Sequence, residues 1–509
     1  MFDILIKNCS LITMNGKNEI LQGCSIGIEN GKIAAIGGAN NSGDLGGGTG
    51  PSGAAGSRGA KNGGDLSGAF GANLGDGAKK VIDGTDCCVL PGFVNTHTHV
   101  YQSLLEGVGY DMHFNPWNIR FLIPIISRMR PDHARIASEV AALEMIKSGT
   151  TAFSDHWYLH TDFENIEEVA EGFNASGLRS HLVFGFLNES FAGRKNTGGH
   201  SSDVLREEGE LLERAAGFVK RRNGWNLVSV GLGPGSTEDV GTEFFKKIIG
   251  LGKKLDVTLV THIAGWVEIV SRSLEKYKMR DMEYAHSLGF TGKKSVAIHG
   301  VWLSGDEIAI AAETGTGVAH NPVANMHLGY GIAPVPEMLR AGVKVGLGTD
   351  GAASYTYDML EIGKAAAMLQ KVRKLDAEAL TAEMALRMLT LGGAEVLGME
   401  KETGSLEIGK RADLIMIKFG EAHLLRGGRP VPSILYSARG TDVVNSIIDG
   451  KLVMENRRVL TMDEGAVLAR ADRARRELFE LGGAPTRELL EAPWPTRGAA
   501  WRKLNGSIS

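Results

Sequence analysis

The chain has 509 residues, 43% of them apolar and 22% charged, with a formal net charge of −4. Those values suit a soluble globular protein with a large domain and a smaller one, and give no reason to expect nucleic acid or an anionic membrane surface as partner. No apolar run approaches the roughly 20 residues that span a bilayer, and Met1–Lys7 lacks the basic start and cleavage site of a signal peptide, so a cytoplasmic protein is expected. The four cysteines, Cys9, Cys24, Cys87 and Cys88, suggest no disulfide framework.

Residues 1–36 read as short strands, and Asn30-Gly31 suits a two-residue hairpin turn because both positions tolerate positive φ. Sixteen glycines fall between residues 37 and 78, with too little apolar material to offset the entropy of ordering, so this stretch is expected to be a disordered insertion. A phosphate-binding glycine loop is excluded: no strand enters the stretch, no helix leaves it, and no Gly-Lys-Ser/Thr follows.

From about residue 90 to 402 strand-like runs alternate with helical ones. The runs end near His97, Asp155, Phe184, Leu232, His262, His299, His320 and Asp350; helices are expected over Asp132–Lys147, Asp203–Arg222, Gly241–Lys254 and Asp306–Thr314, among others. Eight strand–helix units predict a (β/α)₈ barrel, an α/β fold whose chemistry sits at the C-terminal strand ends. A doubly wound open sheet is the alternative. Strands return over residues 403–462, with a second turn at Asp449-Gly450. They are expected to pair with the strands of residues 1–89 into a small β-sandwich, since neither end alone buries much. Residues 463–509 read as an amphipathic helix, Glu464–Arg476, and an irregular tail.

The chemistry points to Leu90-Pro91-Gly92-Phe93-Val94-Asn95-Thr96-His97-Thr98-His99. Side chains alternate along a strand, so His97 and His99 share one face and can share one metal ion. His262, His299 and Asp350 close three later strands of the same barrel. Together they make a site for one divalent metal, with zinc the first expectation and iron the next, because imidazole and carboxylate match its N/O preference. Such a metal lowers the pKa of bound water toward ~7.

The order PGFVNTHTH…THIA…IHGVWLS…AHNPVANMHLGYGIAPVPEMLRAGV…LGTDGAAS resembles the amidohydrolase superfamily. Within it the chain is most similar to the branch of S-adenosylhomocysteine/methylthioadenosine deaminases, related aminohydrolases and triazine chlorohydrolases. By this resemblance His97, His99, His262 and Asp350 bind the metal, and Asp350 also takes a proton from the attacking water. His299 holds the substrate or that water, and Trp117 lines the pocket. His156 and His320 are further candidates for substrate contact; His156 equally suits a capped loop, and His320 a supporting role behind the site.

Two positions depart from the deaminase pattern. The fifth-strand histidine is normally followed at the third place by a proton-shuttling glutamate, where this chain has Gly265, with Glu268 three residues on. The fourth strand normally ends in Pro-His, where this chain has Pro234-Gly235. The expectation is therefore a metal-dependent hydrolase of a nitrogen heterocycle, deamination first, with no certain proton shuttle unless Glu268 serves. Dechlorination of a triazine, hydrolysis of a urea or amide, and a non-catalytic metal-binding role are the alternatives. The implied partner is a small molecule, and assembly into a homo-oligomer is left open.

Overall fold

The computed structural model describes residues 1–38, 74, 77–188, 204–351 and 355–491. Most of the glycine-rich insertion and the end of the C-terminal tail therefore lie outside the described residues.

Eight parallel strands form the barrel: Phe93–Thr98, Thr150–Trp157, Arg179–Phe186, Val228–Pro234, Thr258–Ile263, Ser295–His299, Gly317–His320 and Val345–Leu347. Each pairs with the next in chain order. Seven of the expected strand ends fall inside these strands, whereas the eighth strand stops at Leu347 and Asp350 stands on the loop beyond it. The ring closes there. Asn95 Nδ2 donates to Thr349 Oγ1 (2.8 Å), and the Thr349 N–H donates to Asn95 Oδ1 (3.1 Å). The Asp350 N–H donates to the His97 carbonyl at 2.9 Å. Gly348 permits this approach, because a Cβ there would sit 2.9 Å from the His97 main chain and 2.3 Å from Asn321 Oδ1.

The two chain ends meet as expected. Their β-sandwich is one hydrogen-bonded mixed sheet of nine strands, in which Leu414–Lys418 runs antiparallel to Cys87–Pro91. Alternation explains how that pair joins two cores. Leu414 and Met416 pack with Cys87 and Val89 in the sheet's own cluster, while Ile415 and Ile417 pack with Cys88 and Leu90 in the barrel cluster. All of these are buried, and each large apolar side chain so placed stabilises the fold by about 1.5–3 kcal/mol. Both predicted hairpin turns form, with positive φ at Asn30 (51°), Gly31 (77°), Asp449 (51°) and Gly450 (72°). At the base, Arg179 ties the third barrel strand to the sheet through Asp413 (2.7 Å) and Asp449 (3.4 Å).

Two helix limits differ from expectation. The helix expected from Asp203 begins at Glu208, where acidic residues in the first turn suit the helix N-terminus. The C-terminal helix runs on from Glu464 to Leu481, capped by Asp463, whose side chain accepts from the Ala466 N–H at 3.0 Å. All four cysteines are free, buried thiols. No helix among the described residues is long and apolar enough to cross a membrane.

The strand register also says how far the glycine-rich insertion can be cut. Gly38 is level with Cys24 and thus with Cys9, whereas Ala78 is level with Phe2. Three strand spacings across and seven residues along give a span of roughly 27 Å, or about two dozen residues of relaxed chain. Replacing residues 39–76 with about two dozen Gly/Ser residues should leave the thermal midpoint within about 2 °C, since even halving a loop changes its closure entropy by only about 0.6 kcal/mol. Failure of that variant to fold, seen by scanning calorimetry, would show that the insertion contributes to the core.

Candidate active site

His97, His99, His262, His299 and Asp350 converge at the C-terminal mouth of the barrel, and all are buried. The donor atoms of His97, His99 and His262 lie within 4.8 Å of one another. Asp350 Oδ1 stands 3.6 Å from Nε2 of both His97 and His99, and Oδ2 stands 3.8 Å from His299 Nε2. Ligands held tetrahedrally at about 2.1 Å from one ion would be about 3.4 Å apart, so these spacings fit a single small divalent cation.

The surroundings leave the lone pairs facing inward. His99 Nδ1 donates to the His156 carbonyl at 2.7 Å, and His262 Nδ1 donates to the Gly235 carbonyl, so each presents Nε2 to the centre. His97 Nε2 is buried without any hydrogen-bond partner. Burial, aided by the neighbouring histidines, lowers the His99 pKa to about 3 and holds His262 well below its ordinary value. Neutral imidazoles are what a metal requires. Burial opposes ionisation of Asp350, but His97, His299 and His99 beside it outweigh this and hold its carboxyl well below the usual range. The donor set fits one divalent metal.

Backbone geometry aims the last two groups. Val296 and Ile298 belong to a cluster shared by strands all round the barrel interior, so strict alternation would turn His299 away. Its left-handed backbone, φ 74°, brings the ring back into the mouth. Asp350 is left-handed as well (φ 64°). Such positions cost of order 1–3 kcal/mol each in residues other than glycine and cluster at functional sites. His299 Nδ1 stands 2.9 Å from Asn325 Oδ1 and 3.2 Å from Asn321 Nδ2, and burial lowers its pKa to about 4, so the ring is neutral.

Beside this cluster, at the barrel mouth, is a cavity lined in part by His99, His262, His299 and Asp350. Phe114, Trp117, Trp266 and Tyr330 form an aromatic wall, with ring centroids 4.9 Å apart for Phe114–Trp266 and 5.5 Å for Trp266–Tyr330. Trp117 opens a π-helical stretch, Trp117–Leu122, of the kind that recurs at functional sites. Trp117 and His299 thus line the cavity, whereas His156 and His320 are not among its lining residues. His156 stacks against His262 at 5.6 Å with Nε2 bonded to the Gly233 carbonyl (3.3 Å), and His320 is buried with neither ring nitrogen bonded. Glu268 is exposed on the helix Val267–Tyr277 and does not line the cavity. The structure adds Gln102, Tyr158, Asp239, Trp266 and Tyr330 to the lining. Of these, Trp266 could have been noticed, as an aromatic residue directly after the fifth-strand motif.

The profile of the amidohydrolase family matches residues 88–453. The chain is 37% identical over 405 residues to a 5'-deoxyadenosine deaminase of Methanobrevibacter smithii, covering 79% of this chain and 89% of that protein. It is 37% identical over 404 residues to a 5-methylthioadenosine/S-adenosylhomocysteine deaminase of Desulforudis audaxviator, covering 79% and 90%. In fold it is similar to an adenosine deaminase from Xanthomonas campestris with bound zinc, with a TM-score of 0.81 at 24% identity over 94% of this chain and 98% of that one.

Proposed function

Because this chain belongs to the amidohydrolase family and is a metal-dependent hydrolase of carbon–nitrogen bonds, we propose that it displaces an exocyclic amino group from a flat nitrogen heterocycle. His97, His99, His262 and Asp350 would hold one divalent ion, zinc by the chemistry of three imidazoles and a carboxylate. A cation held there supplies Lewis-acid activation of water at neutral pH.

The chain's own residues do the rest. The heterocycle lies against Trp117 and the aromatic wall, since aromatic side chains lining a cavity favour contact with a flat ring. Asp350 Oδ2 and His299 Nε2 point at one region from 3.8 Å apart and accept the proton released as the nucleophile adds to the ring carbon. Once protonated, His299 becomes a donor and steadies the negative charge that develops, while Asn325 keeps its ring oriented. Asp350 and His299 then pass the proton to the departing amine. The convergence of three buried imidazoles and the Asp350 carboxylate on a cavity walled by aromatic rings is the observation that carries this reading.

A second reading rests on Gly265. With no acid at that place, a leaving group better than ammonia, or an already polarised ring carbon, relieves the need for ring protonation. Metal-replete protein should release ammonia, chloride or amine from a panel of amino- and chloro-substituted purines, pyrimidines and triazines. Removing the metal with a chelator should abolish that release, and re-addition of zinc should restore it. No release from any member by zinc-loaded protein would sink the proposal.

A further inference from the structure

The turn that carries Trp266 to the cavity wall is held from behind by a buried acid. The fifth barrel strand ends at Ile263, and Ala264 then takes a left-handed backbone, φ 49°, which a residue with a Cβ rarely adopts. Gly265 has no side chain to anchor the path, and Trp266 precedes the helix Val267–Tyr277 with extended backbone and no side-chain cap. The Ala264 N–H donates to Asp281 Oδ2 at 2.6 Å, and the Ala264 carbonyl accepts from the Trp302 N–H at 2.8 Å. Trp302 Nε1 in turn donates to the Tyr330 carbonyl at 2.8 Å. One chain of bonds thus runs from Asp281 through the turn to Tyr330, whose ring stands 5.5 Å from that of Trp266. Asp281 is fully buried, and Oδ1 has no hydrogen-bond partner among the described residues. Burial pushes its carboxyl up to about 7, the Ala264 bond opposing and Glu307 adding to the rise. Such a group is costly to bury. Its own helix, Asp281–Ser287, does not need it as a cap, because Glu283 accepts from the Arg280 N–H at 2.9 Å.

We propose that Asp281 is a positioning residue for the aromatic wall. By holding Ala264 in its left-handed turn it fixes the direction in which Trp266 leaves the strand, and through Trp302 the place of Tyr330. It does not itself line the cavity. The inference rests on the hydrolase reading for the flat ring that this wall receives. Contacts of that ring with the wall are alike before and during reaction, so losing Asp281 weakens binding and spares the chemical step.

The test uses 2-aminopurine, a flat amino-heterocycle whose fluorescence is quenched when it stacks on an aromatic ring. It is titrated with zinc-loaded native, Asp281→Ala, Asp281→Asn and Glu283→Gln proteins, and product release from the heterocycle panel is followed in parallel. Asp281→Ala should bind it about tenfold more weakly, with little quenching at saturation, and should raise KM about tenfold with kcat within about threefold. Its metal content should stay native, since the Gly235 carbonyl holds His262. Asp281→Asn still offers an oxygen to the Ala264 N–H and should bind within about threefold of native. Glu283→Gln should bind as native. Adding Ala264→Gly, which relieves the left-handed turn, should cut the loss caused by Asp281→Ala to about threefold. Native binding by Asp281→Ala, an equal loss in Asp281→Asn or Glu283→Gln, or no quenching by native protein overturns the inference, while product release would still support the hydrolase reading. Asp281-dependent quenching without release from any panel member does the reverse. If Asp281→Ala does not fold, Asp281→Glu, whose longer side chain misplaces the oxygen, replaces it, and native binding by that variant overturns the inference.

Discussion

His97→Ala should leave the purified protein with less than about a tenth of the native metal content and less than about 1% of its turnover. Loss of a partner that merely orients a ligand typically costs about 10–100-fold in affinity or activity, and His97 is itself a ligand candidate whose buried Nε2 has no other partner. Asp350→Asn separates two roles. The amide oxygen can still approach a cation, but the charge that faces His97, His99 and His299 is gone. Metal content should fall in part, and turnover by about 10²–10⁴-fold, the usual contribution of a positioned proton acceptor. Metal analysis by mass spectrometry beside steady-state assays decides both. Full metal and native turnover in both variants would remove the central claim.

The barrel and the convergence of its histidines were legible because they rest on local patterns. A strand ending in His-x-His, and later strands ending in His262 and His299, follow from alternation and from the placement of barrel chemistry at strand ends. What could not be read were the places where tertiary geometry overrides the pattern. Asp350 reaches the site from a loop that Gly348 lets run against the His97 backbone, and His299 by a left-handed backbone that reverses its parity. His156 and His320 have the right residue type at the right strand ends, yet their rings are buried among protein groups rather than on the cavity wall. Asp239 gave no signal because its place on the cavity wall depends on an absent side chain four residues earlier in sequence. Sequence marks a missing histidine at 235 as a loss; only coordinates show what moved into its place.

Gly265→Glu should lower activity on the best substrate by about 10²-fold and give no gain on adenosine-type nucleosides. From sequence alone the opposite is attractive, since a carboxyl at 265 would restore an acid for the ring nitrogen, a contribution of typically ~10²–10⁴-fold. The structure removes the room for it. A Cβ at 265 would stand 2.9 Å from His299 Cδ2 and 3.3 Å from its Cγ, closer than such atoms pack. The imidazole cannot easily yield, because Asn325 holds Nδ1 at 2.9 Å and the left-handed backbone fixes its direction. Misplacing a reacting group by about 1 Å can cost 10²-fold. Gly265→Ala isolates that steric part and should already lose most of the activity. Native protein should deaminate adenosine, methylthioadenosine and S-adenosylhomocysteine slowly, as Glu268 lies exposed on its helix and off the cavity wall. Ammonia release from these three with native, Gly265→Ala, Gly265→Glu and Glu268→Gln proteins tests each step. A gain in Gly265→Glu would mean that His299 swings aside while remaining competent. Fast native turnover abolished by Glu268→Gln would mean that the helix Val267–Tyr277 turns inward when substrate binds, carrying the acid to the ring.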